Sequence, residues 1–315
     1  LRVHCYRLLG SFDESEDLVQ ETFLRAWKGI GGFEGRSTFR AWLYRIATNA
    51  CLDVLAGRPR RVLPADLAPP SDPSRPLPPR TDIPWLQPFP DRLWEPAAPI
   101  ETQPDAEAVA RETIELAFLA AIQHLPPRQR AVLILRDVLG WPAKQTADLL
   151  AGSVASVHSA LQRARSTLRE HLPARRIEWA PAGPPTERER AVLRRYMAAM
   201  GRADLAAVAE LLAEDVRATM PPWPMWFQGR AAVLASLAAS SDPDGPGHVG
   251  RLRLAPTGAN RQPALACYLL APGDTTYRAF AISVLRIEDD HIAELTAFHT
   301  AHLFPAFGLP HTLNR

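Results

Sequence analysis

Cysteine is scarce in this sequence of 315 residues: Cys5, Cys51 and Cys267 are odd in number, far apart and outside any C-x-x-C pattern. That excludes a disulfide-stapled mini-protein and reads as three reduced cytosolic thiols, with no metal site expected. Long hydrophobic runs are missing too. Nothing approaches the ~18 apolar residues of a membrane helix, and no signal peptide is seen. A cytoplasmic protein with no membrane partner is the expectation. Leu1 rather than Met stands first, so a short N-terminal piece is expected to precede it. Proline is absent from residues 1–58, yet 13 of the chain's 31 prolines fall between residues 62 and 106. Neither sign of charge dominates, since the net charge is only +2.

The length suggests two or three domains, and charge is distributed unevenly among them. Residues 1–61 carry a net +3, residues 62–106 a net −4, residues 107–176 a net +4 and residues 177–315 a net −1. Two basic blocks around an acidic spacer fit a polyanion gripped at two points; ordinary solvated helix faces are the plainer alternative. A stretch such as Pro69-Pro70-Ser71-Asp72-Pro73 forms neither a helix nor a central strand. Residues 59–106 therefore read as an extended acidic tether. Trp85, Leu86, Phe89 and Trp94 within it suggest that it docks somewhere. A second break, Ala180-Pro181-Ala182-Gly183-Pro184-Pro185, sets off a third block.

The first block, residues 1–58, is helical. Ser11 and Glu14 have capping-box spacing. Val19, Phe23, Ala26 and Ile30 then form an expected core stripe, with Asp17, Gln20, Glu21, Leu24 and Lys28 on another face. Gly29-Ile30-Gly31-Gly32 breaks the helix. A second helix is expected from about Ser37 to Leu55, burying Phe39, Leu43, Ile46, Ala50 and Val54. Trp42, Arg45, Asn49 and Leu52 lie beside that stripe. Trp, Arg and Asn there suit base stacking and phosphate contacts, or Trp42 simply completes the core.

The second block, residues 107–176, opens with an expected amphipathic helix over 107–124, ended by Leu125-Pro126-Pro127. Ala131-Val132-Leu133-Ile134-Leu135 is a core run. A helix near Pro142–Leu150, the turn Ala151-Gly152-Ser153 and a helix from about Val154 to His171 carry the spacing of a helix-turn-helix. Val154, Val157, Leu161, Ala164 and Leu168 are assigned inward, which leaves Ser156, His158, Ser159, Gln162, Arg163, Arg165 and Arg169 outside.

The third block is α+β. Thr186–Gly201, Asp204–Ala213 and Ala231–Ala239 read as helices. Arg217–Met220, Arg251–Ala255, Ala264–Leu270, Tyr277–Arg286 and His291–His299 read as strands, with Glu288-Asp289-Asp290 turning between the last two. Helices followed by an antiparallel meander imply a curved sheet wrapped against helices.

Three stretches then resemble one family. Asp13 to Trp27 (DESEDLVQETFLRAW) is similar to conserved region 2.2 of the sigma-70 family, and Phe39 to Asp53 (FRAWLYRIATNACLD) to regions 2.3 and 2.4. Leu125 to Leu133 (LPPRQRAVL), with the helix-turn-helix, resembles region 4. Their order and spacing match extracytoplasmic-function (group IV) sigma factors. Asp204-Leu205 to Asp215-Val216, Trp226 to Arg230 (WFQGR) and Ile287 to Phe298 resemble a SnoaL-like domain of the NTF2-like superfamily, over residues 186–310. The implied fold is multi-domain: two all-α sigma domains, the second with a helix-turn-helix, and a C-terminal α+β cone-shaped barrel.

The resemblance also implies roles. Asp13, Glu16, Asp17, Gln20, Glu21 and Leu24 would bind core RNA polymerase at the β′ clamp, and the second sigma domain would meet the β flap. Arg36, Arg40, Trp42, Arg45 and Asn49 would face the −10 element, with the loop Gly29–Ser37 holding an extruded base. Ser156, Ser159, Gln162 and Arg163 would contact bases of the −35 element, and Arg165 and Arg169 its phosphates. The linker would run toward the RNA exit path. Trp223, Trp226, Phe280, Phe298 and His299 would line a pocket in the tail for an unknown small ligand, unless the barrel is simply filled. His299 would be a general acid/base with Asp215 or Asp274 as its carboxylate partner, or merely a core histidine. No nucleophile-base-orienter constellation is visible, so a non-enzymatic, regulatory tail without a cofactor is expected. The competing class is a SnoaL-type isomerase or hydrolase, or a ligand-binding protein, with a DNA-binding appendage.

Overall fold

The computed structural model describes residues 1–35, 37–94, 114–172, 184–242, 245 and 248–314. They form two compact units. One holds residues 1–61 with the described residues between 94 and 172; the other holds Val62–Leu93 with the described residues from 184 onward.

The first unit is helical: α1 (Arg2–Leu9), α2 (Phe12–Gly29), α3 (Phe39–Leu55), α4 (Leu116–Gln123), α5 (Pro127–Leu133), α6 (Ala143–Leu149) and α7 (Val154–His171). α1 carries too short a pattern to be read from sequence, yet Val3 to Leu9 are all buried in it. Gly10 ends it in the left-handed conformation (φ 68°), where a side chain would be strained. Ser11 then caps α2, its Oγ accepting from the Glu14 N–H at 3.3 Å.

Burial on α2 departs from the expected stripe. Phe12, Ser15, Thr22 and Ala26 are its buried residues, whereas Phe23 and Ile30 are 53% and 48% exposed. The stripe is rotated by about one position because small and hydroxylic residues, which a hydropathy pattern overlooks, make the close contacts with α1 and α3. Thr22 satisfies its hydroxyl on the Leu18 carbonyl at 2.6 Å, so it is buried without an unpaired polar atom. α3 is also corrected. It packs against α1, α2 and α5 and buries Trp42, Tyr44, Ala47, Thr48, Ala50 and Cys51, while Phe39 is 49% exposed. A helix flanked by several neighbours buries a wide face rather than one stripe.

The expected helix over 107–124 is seen as α4 from Leu116; residues 107–113 lie outside the described residues. After α5, a π-helical turn, Ile134–Val138, leads to α6. Arg130 is 2% exposed. Its guanidinium donates to the Leu8 carbonyl, to Gln123 Oε1 at 2.7 Å and to the carbonyls of Gln123 and Leu125 at 3.0 and 3.2 Å. The charge thus sits on the carbonyl ends of α1 and α4, where helix dipoles favour a cation. Burial pulls its pKa down to about 10, which still leaves it charged at neutral pH.

In the second unit, α8 (Glu187–Gly201), α9 (Leu205–Leu211) and α10 (Arg230–Ser241) pack on one sheet. Its strands are β1 (Leu212–Thr219), β2 (Trp226–Gln228), β3 (Arg251–Ala259), β4 (Gln262–Leu270), β5 (Tyr277–Glu288), β6 (His291–Phe298) and β7 (Thr312–Leu313). Their order is β2-β1-β6-β5-β4-β3, with β7 on β5. β3 to β6 form the expected antiparallel meander, and β1 joins β6 in parallel. Two positive-φ residues turn each tight hairpin, Asn260-Arg261 and Asp289-Asp290, as a type I′ turn requires. β1 begins at Leu212, within the segment expected as helix up to Ala213, and β2 was not foreseen as a strand. A three-residue strand leaves no readable alternation.

Alternation along the strands makes two cores. Leu265, Cys267, Ala281 and Leu285 join Val192, Tyr196, Val208, Leu211 and Val233 of the helices. Tyr268, Ile282, Val284 and Phe298 are buried but stand outside that cluster, and Tyr268 meets Phe304 edge-on at 5.1 Å. Residues 62–93, expected as an extended tether, are held on this unit. Leu86 and Phe89 are 1% and 0% exposed. The Phe89 N–H donates to Asn260 Oδ1 at 2.8 Å, and the Asn260 N–H donates back to the Phe89 carbonyl at 2.9 Å.

Candidate functional site

α2 presents a mixed acidic and apolar surface. Asp17 and Gln20 are exposed, and Asp13, Glu16 and Glu21 are partly so. Glu16 pairs with Arg2, and Glu21 with Arg25 at 2.7 Å. Beside them Phe23, Leu24, Trp27 and Ile30 are 53%, 55%, 81% and 48% exposed. A cluster of large apolar side chains this open on one helix marks an interaction surface rather than a core. Sequence reading found Leu24 but placed Phe23 and Ile30 in the core and gave Trp27 no role. The signal available was the crowding of apolar residues on more faces of α2 than one core needs.

The neighbouring surface on α3 is partly assembled. Arg45 and Asn49 are exposed, and no described residue bonds to their side chains. Arg40 lies over the Tyr44 ring at 5.6 Å. Trp42 is 8% exposed and packs with Phe33 and Phe39, ring centroids 5.1 and 5.6 Å away. It therefore completes an aromatic cluster under the loop that follows α2. Arg36 lies outside the described residues.

On α7, Ser153 and Ser156 form a reciprocal capping box, with N–H to Oγ distances of 3.1 Å in both directions. Ser156 also donates its hydroxyl to the Ser153 carbonyl at 2.7 Å, so this expected base reader is occupied by the cap. Ser159, Gln162, Arg163 and Arg169 are exposed, and their side chains bond to none of the described residues. Arg165 instead pairs with Asp137 of the π-helical turn at 2.7 Å. Val154, expected inward, is 42% exposed. At the first turn of a helix it has no preceding turn to pack beneath. Val157, Leu161 and Ala164 are buried as expected.

In the second unit Trp223 and Phe280 flank the His299 ring edge-on, each centroid 4.6 Å away. Burial holds the imidazole neutral, with its pKa pushed down to about 4, and Nδ1 has no hydrogen-bond partner among the described residues. Among the described residues neither expected carboxylate bonds to it: Asp274 is exposed and lies 3.7 Å from Arg278, and Asp215 is exposed, its carbonyl accepting from Gln228 at 2.6 Å. Trp226 is not part of this group. Its ring lies under Arg217 at 5.3 Å, and its Nε1 donates to the Ala68 carbonyl at 2.7 Å. Phe298 is fully buried on the other side of the sheet from the helices.

Residues 68–92 grip the barrel at several points. Ser71 N–H donates to the Trp226 carbonyl at 2.8 Å, and Arg80 N–H to the Pro222 carbonyl at 2.9 Å. Asp91 Oδ1 accepts from the Arg261 N–H at 2.7 Å, and Arg92 donates to the Pro305 carbonyl at 3.2 Å. Burial raises the Asp91 carboxyl to about 6, against that hydrogen bond and the nearby Arg261 charge, which lower it. A Cβ at Gly258 would stand 2.7 Å from Asp91 Oδ2, so the carboxyl fits only because that position has no side chain.

Models for Sigma-70 region 2, Sigma-70 region 4 and the SnoaL-like domain match residues 1–61, 115–168 and 193–295. The ECF RNA polymerase sigma factor SigG of Mycobacterium tuberculosis is 43% identical over 99% of this chain and 82% of its own length. SigW of Bacillus subtilis, another ECF RNA polymerase sigma factor, is 28% identical over 53% of this chain and 80% of its own. Among solved structures, the extracytoplasmic function sigma factor SigJ of Mycobacterium tuberculosis has a TM-score of 0.60 at 24% identity, covering 98% of this chain and 96% of SigJ. By its near full-length relationship to SigG, this chain belongs to the ECF sigma factors of RNA polymerase, in a form that carries a SnoaL-like C-terminal domain.

Proposed function

We propose that the chain is the promoter-recognition subunit of a bacterial RNA polymerase, with α2 as its grip on the core enzyme. The observation that carries this is the surface of α2, where Phe23, Leu24 and Trp27 stand open beside Asp13, Asp17 and Gln20. An apolar patch with an acidic border supplies burial at the centre and steering at the rim when it meets a basic partner such as the β′ clamp. A DNA-binding module alone has no use for such a face.

Arg40, Arg45 and Asn49 on α3 then address the −10 element, and Ser159, Gln162, Arg163 and Arg169 on α7 the −35 element. Free Gln and Arg side chains on a helix-turn-helix suit base edges in the major groove. The tail regulates by holding residues 62–93. A segment hydrogen-bonded to Trp226, Pro222 and Asn260 has to leave the barrel before it can thread along polymerase. Release and polymerase binding are thereby coupled. The neutral His299 between two aromatic rings suits a planar, uncharged ligand near the Pro222 loop. Without a carboxylate partner among the described residues it favours binding over acid–base catalysis.

The test is co-elution of the full chain with purified bacterial core polymerase. A stoichiometric complex that withstands moderate salt supports the reading. A chain that never associates with core polymerase contradicts it.

A further inference from the structure

Arg165 stands on the outer face of α7, yet its guanidinium is already committed. Nε donates to Asp137 Oδ2 at 2.8 Å and Nη2 to Oδ1 at 2.7 Å, a bidentate fork on one carboxylate. The pair lies at the protein surface, with side-chain exposures of 52% and 28%. Asp137 is held by the π-helical turn Ile134–Val138. That turn is pinned by Leu139 N–H on the Ile134 carbonyl at 2.9 Å and Trp141 N–H on the Leu135 carbonyl at 2.8 Å. Arg163 and Arg169 on the same helix have no such partner among the described residues.

We infer that Asp137 sequesters Arg165 and so sets how tightly the promoter-reading surface grips duplex of any sequence, keeping α7 from holding non-promoter DNA. The inference rests on the reading of α7 as the −35 reader. Phosphate contacts carry no sequence information, because every duplex presents the same backbone. An unpaired Arg165 adds one such contact and strengthens correct and incorrect sites alike. A guanidinium neutralised by Asp137 adds little, and the carboxylate repels a nearby phosphate. Discrimination is a difference of affinities, so this uniform term leaves the choice between sites to Ser159, Gln162 and Arg163 and changes only the absolute grip and its salt dependence. The bidentate geometry uses Nε and one Nη2 hydrogen, leaving Nη1 in a fixed direction.

The experiment uses holoenzyme reconstituted from the full chain and bacterial core polymerase. Its probes are a duplex library randomised across the upstream element and a random-sequence duplex of equal length. Asp137→Asn removes the charge with little change of shape, and Asp137→Ala is the second variant should the first fold poorly. Either should tighten binding to the random-sequence duplex by roughly 3- to 10-fold at low salt and steepen the log–log salt slope by about 0.9. Sequence enrichment from the library, read below saturation, should stay at its wild-type value, because the added contact is common to every member. Adding Arg165→Ala to Asp137→Asn should restore the slope to its wild-type value. A purely structural role for Asp137 would lower the melting temperature without steepening the slope, and removing Arg165 would rescue nothing; that result overturns the inference. So does an unchanged slope, or equal weakening on both probes. A wild-type holoenzyme that enriches no upstream sequence overturns the reading of α7 together with the inference. Enrichment by the wild type with an unaltered Asp137→Asn slope overturns the inference alone.

Discussion

Leu24 and Trp27 are two ordinary apolar side chains whose exposure supports the role proposed for α2. Truncating a central anchor of an interface costs about 2 kcal/mol or more, so Trp27→Ala should weaken core polymerase binding at least tenfold. Leu24→Asp should abolish it at accessible concentrations. Neither should shift the melting temperature, since the two residues are 81% and 55% exposed. A titration of core polymerase with labelled full chain checks this. Arg163 is the matching case on α7. If it makes a bidentate base contact, Arg163→Ala costs about 1–3 kcal/mol on promoter binding and relaxes selection at one position of the upstream element, read by competition between matched and substituted duplexes. Asp91 gives a pH-dependent case. Its folded pKa of about 6 lies above the ordinary aspartate value of 3.8, so the folded chain binds the extra proton and stability falls as pH rises from about 4 through 6. His299, lowered to about 4, titrates in the same window with the opposite sign. The difference between Asp91→Asn and wild type cancels it. Thermal unfolding should show the variant gaining on wild type between pH 4 and 7, with no further gain above that.

Among the elements, legibility tracked length and partner number. α7 was placed within a residue or two because eighteen residues of amphipathic pattern run against a short turn. The meander was legible because β4 and β5 are continuous apolar runs between clear turns. α1 was not seen, being eight residues long and buried on every side. The faces of α2 and α3 were misassigned, because Ser15, Thr22 and Thr48 are buried with their hydroxyls bonded locally, which a hydrophobic count scores as surface. The docking of residues 62–93 was signalled by Trp85 and Phe89, but its receptor was not. Which hairpin meets Phe89 is a matter of three-dimensional register. That contact predicts a variant effect. Gly258→Ala places a methyl where Asp91 sits, so it should loosen residues 85–93 and raise their protease sensitivity while the helices of the first unit keep theirs. Limited proteolysis with mass mapping measures both.

For the whole molecule, family membership was legible in the motifs, and the structure shows which of the proposed contact residues are already engaged within the chain. Ser156 is spent on a cap, Arg165 on Asp137 and Trp42 on an aromatic cluster. Of the α7 side chains proposed to meet DNA, Ser159, Gln162, Arg163 and Arg169 bond to none of the described residues. The acidic, proline-rich segment is held by the tail in a chain without polymerase, so output should depend on how firmly it is held. Run-off transcription from genomic fragments, with core polymerase alone, with the wild-type chain and with Leu24→Asp, asks whether the chain selects promoters through α2. Discrete start sites are expected with the wild-type chain, and none of them with core polymerase alone or with Leu24→Asp. Identical transcripts in all three reactions, or none with the wild-type chain, would contradict promoter selection through α2.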